Sequence, residues 1–184
     1  FVVKKEHEDG HTAIEQYLTE NYGDVGKKIH TGRSRNDQSL VMIRLFMKDQ
    51  LRDVRKANQN LIKVLDKKIR MHENVPMPGY THMQKAMPTT VGVWLDSYKS
   101  ALHDFDSMLK STITIIDQNP LGSASGFGIE NFPLNRSATT KNLGFKKMQK
   151  NPMYCGLSRG YFENIVLQTL SQPMNISAKF ACDM

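Results

Sequence analysis

Apolar residues recur at Leu40, Ile43, Met47, Leu51, Val54, Leu61 and Leu65, with Asn58 filling the polar gap in the series. Steps of three or four residues give a period of about 3.6, the spacing of one face of an α-helix. A second series, Val91, Leu95, Tyr98, Leu102, Phe105, Leu109, Ile113 and Ile116, keeps the same period. Each stripe is roughly 38 Å long at about 1.5 Å per residue, well beyond the ordinary helix of about 11–12 residues. Long helices with one apolar stripe need long partners, so the pattern predicts a mainly α-helical bundle. Residues 11–21, 137–143 and 156–184 read as further helices, the second stopped by Gly144. Pro173 removes a backbone donor and is expected to kink or split the last of them. Pro76, Pro78 and Gly79 interrupt the pattern, so residues 73–88 are expected to form a loop, and no strand pair is expected. With no internal repeat or low-complexity linker, residues 1–184 read as a single unit without an internal boundary.

Charge changes this picture little. The sequence carries 25 Lys+Arg against 18 Asp+Glu, a formal net charge of +7. The basic residues Arg52, Arg55, Lys56, Lys63, Lys67, Lys68 and Arg70 alternate with Asp53, Asp66 and apolar positions. Such spacing marks a solvated helix face rather than a phosphate-tracking patch, so no nucleic-acid partner is expected. An anionic small substrate is an equally good use of the positive charge. No run approaches the roughly 20 apolar residues needed to span a bilayer, and no membrane partner is expected. Cys155 and Cys182 form no CxxC pair, which argues against a disulfide framework or zinc cluster and for a reducing, cytoplasmic setting. Phe1-Val2-Val3-Lys4 is too short for a signal peptide and does not begin with Met, as expected of a processed chain or a fragment.

Three segments carry candidate chemistry. The densest polar run is residues 28–38, where the first long helix begins. Gly32 permits an unusual turn, Asn36 or Asp37 is expected to cap the helix, and free N–H groups of the first turn attract anions. Arg33 and Arg35 add forked donors suited to carboxylates; the bland alternative is a capping region with two surface arginines. The second segment, Pro78-Gly79-Tyr80-Thr81-His82-Met83-Gln84, holds a histidine outside any apolar stripe, fit for proton transfer or simply exposed. The third is the small-residue run 122–128, whose backbone is free to approach a ligand or to act as a linker. His11, four residues before Glu15, reads as an ordinary helix pair. Glycine fingerprints for nucleotides, HExxH spacing and GxSxG are absent from the sequence, so no cofactor or metal is implied.

Taken together, the segments resemble a known family. Thr31-Gly32-Arg33-Ser34-Arg35-Asn36-Asp37-Gln38 is similar to the first signature of argininosuccinate lyase, in the fumarase/aspartase superfamily, and Pro78–Gln84 resembles the second. Glu8-Asp9-Gly10-His11-Thr12-Ala13-Ile14-Glu15, Asn119-Pro120-Leu121-Gly122-Ser123, Phe132-Pro133-Leu134-Asn135-Arg136 and Leu143-Gly144-Phe145 match in the family's order. The resemblance implies a long-helix bundle packed in a homotetramer, active sites shared by three chains, and cofactor-free cleavage of argininosuccinate to arginine and fumarate. It implies that Arg33, Ser34, Arg35 and Asn36 hold the substrate, and that Thr81 and Gln84 assist with its carboxylates. Arg136 is a further anchor, His82 the active-site histidine, and Asp9 a residue orienting His82 from a neighbouring chain. It leaves open a catalytically silent relative of the delta-crystallin kind, or a sister lyase that also releases fumarate. Asn135 stands where the family usually has Asp. The family's serine-bearing loop of GSSxMPxKxNP type does not occur in this sequence. The resemblance therefore implies one partial domain, with 1–36 closing an N-terminal region and 37–184 a truncated bundle. Its general base is expected to lie outside this sequence, and the isolated piece to be inactive.

Overall fold

The first apolar series winds into a long helix, α3 (Arg35–His72), and the second into α4 (Val91–Ile116). The structure, a computed structural model, describes residues 3–184; the Phe1-Val2 start, weighed for a signal peptide, lies outside the described residues. Ahead of α3 come α1 (Gly10–Tyr22), α2 (Asp24–Lys27) and a 3-10 turn (Lys28–His30). Between α3 and α4 lie β1 (Pro76–Thr81) and β2 (Gln84–Thr90). After α4 follow β3 (Gln118–Asn119), α5 (Arg136–Asn142), β4 (Lys147–Met148), α6 (Pro152–Leu157) and α7 (Tyr161–Asp183). The chain is mainly α-helical, as its periodicity predicts.

Three local expectations are corrected. Residues 73–88 are not a loop, because β1 and β2 pair antiparallel, with Met77 opposite Thr89 and Thr81 opposite Gln84. Prolines that rule out a central strand are tolerated in a two-stranded ribbon, where each strand keeps one unpaired edge. The pairing slips between Pro78 and Tyr80, and a Cβ on Gly79 would stand 2.6 Å from the Met87 carbonyl oxygen. Only glycine fits there. Second, Ser34, not Asn36 or Asp37, caps α3. Its Oγ accepts from the Asn36 N–H at 3.2 Å while Asp37 Oδ1 takes the Ser34 N–H at 2.9 Å, a reciprocal box. Third, α7 is not split at Pro173. The missing hydrogen bond is outweighed by packing on both sides, with Thr169 bonded to Thr112 before the proline and Phe180 stacked on Trp94 after it.

The residues fall into two compact units, one built from residues up to Leu45 and from Asp117 to Arg159, the other from Phe46 to Ile116 and Gly160 to Met184. In the first, Val41, Leu121 and Phe145 form a small apolar cluster. Most of the order there is polar. Arg44, 1% exposed, donates to the Gln118 carbonyl at 2.8 Å, to Gln149 Oε1 at 2.6 Å and to the Ser158 hydroxyl. An arginine on the inward side of α3 explains why its apolar stripe is imperfect: Ile43 is exposed while Arg44 is buried.

In the second unit Met47, Leu51 and Ile62 of α3, Leu95, Leu102, Phe105, Leu109 and Ile116 of α4, and Phe162 and Val166 of α7 make the core. Asn58 belongs in its stripe because its amide donates to the Leu102 carbonyl at 3.0 Å, so a buried polar group is satisfied. Asp106 of α4 receives Arg55 at 2.9 Å and Lys110 at 3.0 Å. Burial works against its charge, but those hydrogen bonds prevail and hold the carboxyl below its ordinary value.

Where α4 meets α7, Trp94 stacks on Phe180 and its indole N–H donates to Asp183 at 3.0 Å, and the Tyr98 hydroxyl donates to the same oxygen. The Trp94 bond, then the Tyr98 bond, holds the Asp183 carboxyl below the usual carboxylate range. A depressed folded value means the contact is fully formed above about pH 4. It is lost as pH falls through Asp183's own lower value. Trp94 is the single tryptophan of the sequence. Its emission is expected to step in that acidic window, and the step to vanish in Asp183→Asn; a step of the same size in the variant counts against the contact.

Candidate active site

The first turn of α3 gathers much of the signature. Ser34 and Asp37 close the cap, so Arg35 and Asn36 project from a helix start whose free N–H groups carry partial positive charge. Arg35 Nη1 lies 2.8 Å from Glu8 Oε1 and 3.4 Å from Asp9 Oδ2, and Nη2 donates to the Thr12 hydroxyl at 2.9 Å. Glu8 is held below its ordinary value by the hydrogen bond from Arg35, and Asp9 by the backbone N–H of Thr12. Asp9 also caps α1. Both Asp9 oxygens therefore have partners within their own chain. Asn36 Oδ1 accepts from Arg159 Nη1 at 3.1 Å, a contact across 123 residues of sequence. No local pattern reveals Arg159 as a member of this group; only the fold brings it to the helix mouth.

Arg33 and Arg136 stand apart from that cluster, on a cleft of about 300 Å³ that they share with Lys28, Thr31, Leu134 and Thr139. The two arginines are not equivalent. Arg136 directs Nε to the Leu121 carbonyl at 2.9 Å and Nη2 to the Gln149 carbonyl at 2.8 Å, so it staples loops together. Arg33 lines the cleft itself. Asn135 caps α5 by accepting the Ala138 N–H at 2.9 Å, which asparagine does as well as aspartate.

The small-residue run is neither a linker nor an open cradle. Gly122 N–H and Ala124 N–H both donate to Asp37 Oδ2, at 2.9 and 3.0 Å. The backbone approaches a carboxylate of its own chain. Gly122 is needed: its φ is +90°, and a Cβ there would meet Arg136 Cγ at 2.8 Å. His11 also differs from expectation, since its Nε2 lies 3.3 Å from the Ser39 hydroxyl, while Glu15 pairs with His30 at 3.7 Å.

Thr81, His82 and Gln84 sit together at the tip of the β1–β2 hairpin. Thr81 and Gln84 are a cross-strand pair, and His82 and Met83 form the two-residue turn with φ of 49° and 60°. Positive φ at both central positions suits a tight hairpin. Placing L side chains there costs about 1–2 kcal/mol each, the kind of strain that functional turns retain. All four side chains are exposed, Met83 at 98%. The turn thus presents an imidazole between two hydrogen-bonding neighbours on a short, sharply bent support.

The family model described as Lyase matches residues 1–158, and the chain belongs to that family, within the fumarase/aspartase superfamily. It is 45% identical over 170 residues to an argininosuccinate lyase of Stenotrophomonas maltophilia, covering 92% of this chain and 39% of that protein. It is 43% identical over 183 residues to an argininosuccinate lyase of Bacteroides fragilis, covering 100% of this chain and 41% of that protein. Among solved structures, a variant of EDDS lyase with bound fumarate is similar, with a TM-score of 0.73 and 27% identity over 91% of this chain and 35% of that one. The chain therefore spans about two fifths of the length of these curated relatives.

Proposed function

We propose that this chain supplies the signature helix start and the histidine hairpin of an argininosuccinate lyase, which eliminates fumarate from argininosuccinate and leaves arginine. The observation that carries the reading is Arg35 on the first turn of α3, its guanidinium already gripping carboxylates at 2.8 and 3.4 Å. A succinyl carboxylate is the same chemical group. Arg35, Asn36 and Ser34 would hold the substrate's dicarboxylate end; Thr81 and Gln84 would add hydrogen bonds beside His82. Arg33, on the cleft, would take a further carboxylate, whereas Arg136 serves the site by fixing the loop that ends at Leu121. Asp9 acts through Arg35 as well as, in an assembly, toward His82.

The chemistry asks for these groups. Removing a proton alpha to a carboxylate drives charge onto that carboxylate, and donors fixed in advance stabilise the charge as it builds. The C–N bond then breaks, and the departing guanidino nitrogen takes a proton that His82 supplies or relays. The residue that removes the alpha proton lies outside this sequence. We assign the protein to a homotetramer with active sites shared between chains, and to the cytoplasm. Among the described residues no helix is long and apolar enough to cross a membrane. Supporting the assembly, α3 and α7 leave Phe46 and Leu167 about two-thirds exposed, at 65% and 66%.

The test is release of fumarate, followed by its ultraviolet absorbance, from argininosuccinate, aspartate, malate and adenylosuccinate in turn. Turnover of argininosuccinate alone by the intact protein, with none from residues 1–184 by themselves, is the expected result. Activity of the isolated 184 residues would contradict the external base, and preference for another substrate would replace the assignment.

A further inference from the structure

We propose that Arg159 is a positioning residue that sets the orientation of the Asn36 amide, so that Asn36 meets the substrate as a donor. The inference rests on the lyase reading of the helix mouth and adds a residue to it. A guanidinium carries only donors, so the group it meets on Asn36 must be the carbonyl oxygen. That is the contact observed, Arg159 Nη1 to Asn36 Oδ1 at 3.1 Å. With the oxygen engaged by Arg159, both N–H groups of the Asn36 amide are left to donate elsewhere. A free asparagine presents either end to a ligand at little cost, and half of those presentations set an acceptor against a carboxylate. Arg159 removes the wrong half.

The arrangement is anchored. Arg159 follows Ser158, which is 1% exposed and whose hydroxyl receives both Arg44 and Gln149. The Arg159 N–H is bonded to the Gly156 carbonyl at 3.1 Å. Arg44 and Asn36 both belong to α3, so the turn after α6 is locked to the same helix that carries the amide it orients. The ligand selected is anionic, because the end of the Asn36 amide left unengaged is a donor and the Arg35 guanidinium at the same helix start already takes carboxylates. A carboxylate of a C4 dicarboxylate is the class.

The experiment compares Arg159→Met, Arg159→Lys and Asn36→Ala, alone and as Asn36→Ala with Arg159→Met, in the intact protein. Two quantities are read: KM and kcat for argininosuccinate, and Kd for fumarate by calorimetry. Arg159→Met is expected to raise KM and Kd about 5- to 20-fold, the scale of a weakened charge-assisted hydrogen bond. Its kcat should stay within about 2-fold, because dicarboxylate binding rather than proton transfer is affected. Arg159→Lys, which still donates to Oδ1, should recover most of the loss. On the Asn36→Ala background Arg159→Met should add nothing, since its target is gone. An equal loss on that background would mean that Arg159 contacts the ligand or supports the fold by itself, and would overturn the proposal. So would an Arg159→Met protein with unchanged KM and Kd. If the unaltered protein binds fumarate without turning over argininosuccinate, the lyase reading falls, and the Kd comparison still decides on Arg159. Absence of fumarate binding by the unaltered protein would defeat both.

Discussion

Asp37→Asn is expected to lower the unfolding free energy by about 2–4 kcal/mol, and Asp37→Ala by more. The carboxylate is fully buried and accepts three backbone N–H groups, from Ser34, Gly122 and Ala124. Asparagine replaces one acceptor oxygen with a donor. Whichever way it turns, at least one buried N–H is orphaned, at about 1–3 kcal/mol, and the remaining bonds lose their charge assistance. The loss is also local, since Ala124 at φ 52° depends on that anchor to hold a conformation unfavourable to an L residue. Urea unfolding of the intact protein measures it. A change below about 1 kcal/mol would show that the loop finds other acceptors. Because Asp37 ties the cap of α3 to the 122–124 turn, activity is expected to fall with stability although Asp37 faces no ligand.

His82→Asn is expected to reduce kcat by about 100- to 10,000-fold while KM changes by no more than about 3-fold. Asparagine keeps the size and hydrogen-bonding reach of the imidazole and is at ease at positive φ, so the turn that holds His82 at φ 49° should survive the exchange. What it lacks is a proton that moves near neutral pH. The kinetic split therefore separates chemistry from support. An unchanged kcat would remove His82 from the mechanism, and a collapse of KM alone would make it a binding group.

Period alone located α3 and α4, because a stripe repeating every 3.6 residues over several turns has no other regular solution. The dense polar run at residues 28–38 and the isolated His82 were visible for a similar reason: polar side chains clustered away from the apolar stripes are not explained by the helix period. The hairpin was not visible. Its prolines and Gly79 are breakers in a helix and in a central strand alike, and only cross-strand pairing shows that an isolated ribbon accommodates them. Nor was Pro173 decided locally, since α7 stays whole through partners on α4 that sequence order does not supply.

The candidate site divides along the same line. Its residue types were fixed by the chain: two forked cations and an amide at a helix start, an imidazole at a turn. Their partners were fixed by the fold. Arg35 meets Glu8, Asn36 meets Arg159, and Arg136 meets the backbone carbonyls of Leu121 and Gln149. Helix periodicity acts between neighbours three and four residues apart, so a single sequence records it. A hydrogen bond across 123 residues leaves no such period, and its geometry comes into being only when the chain has closed.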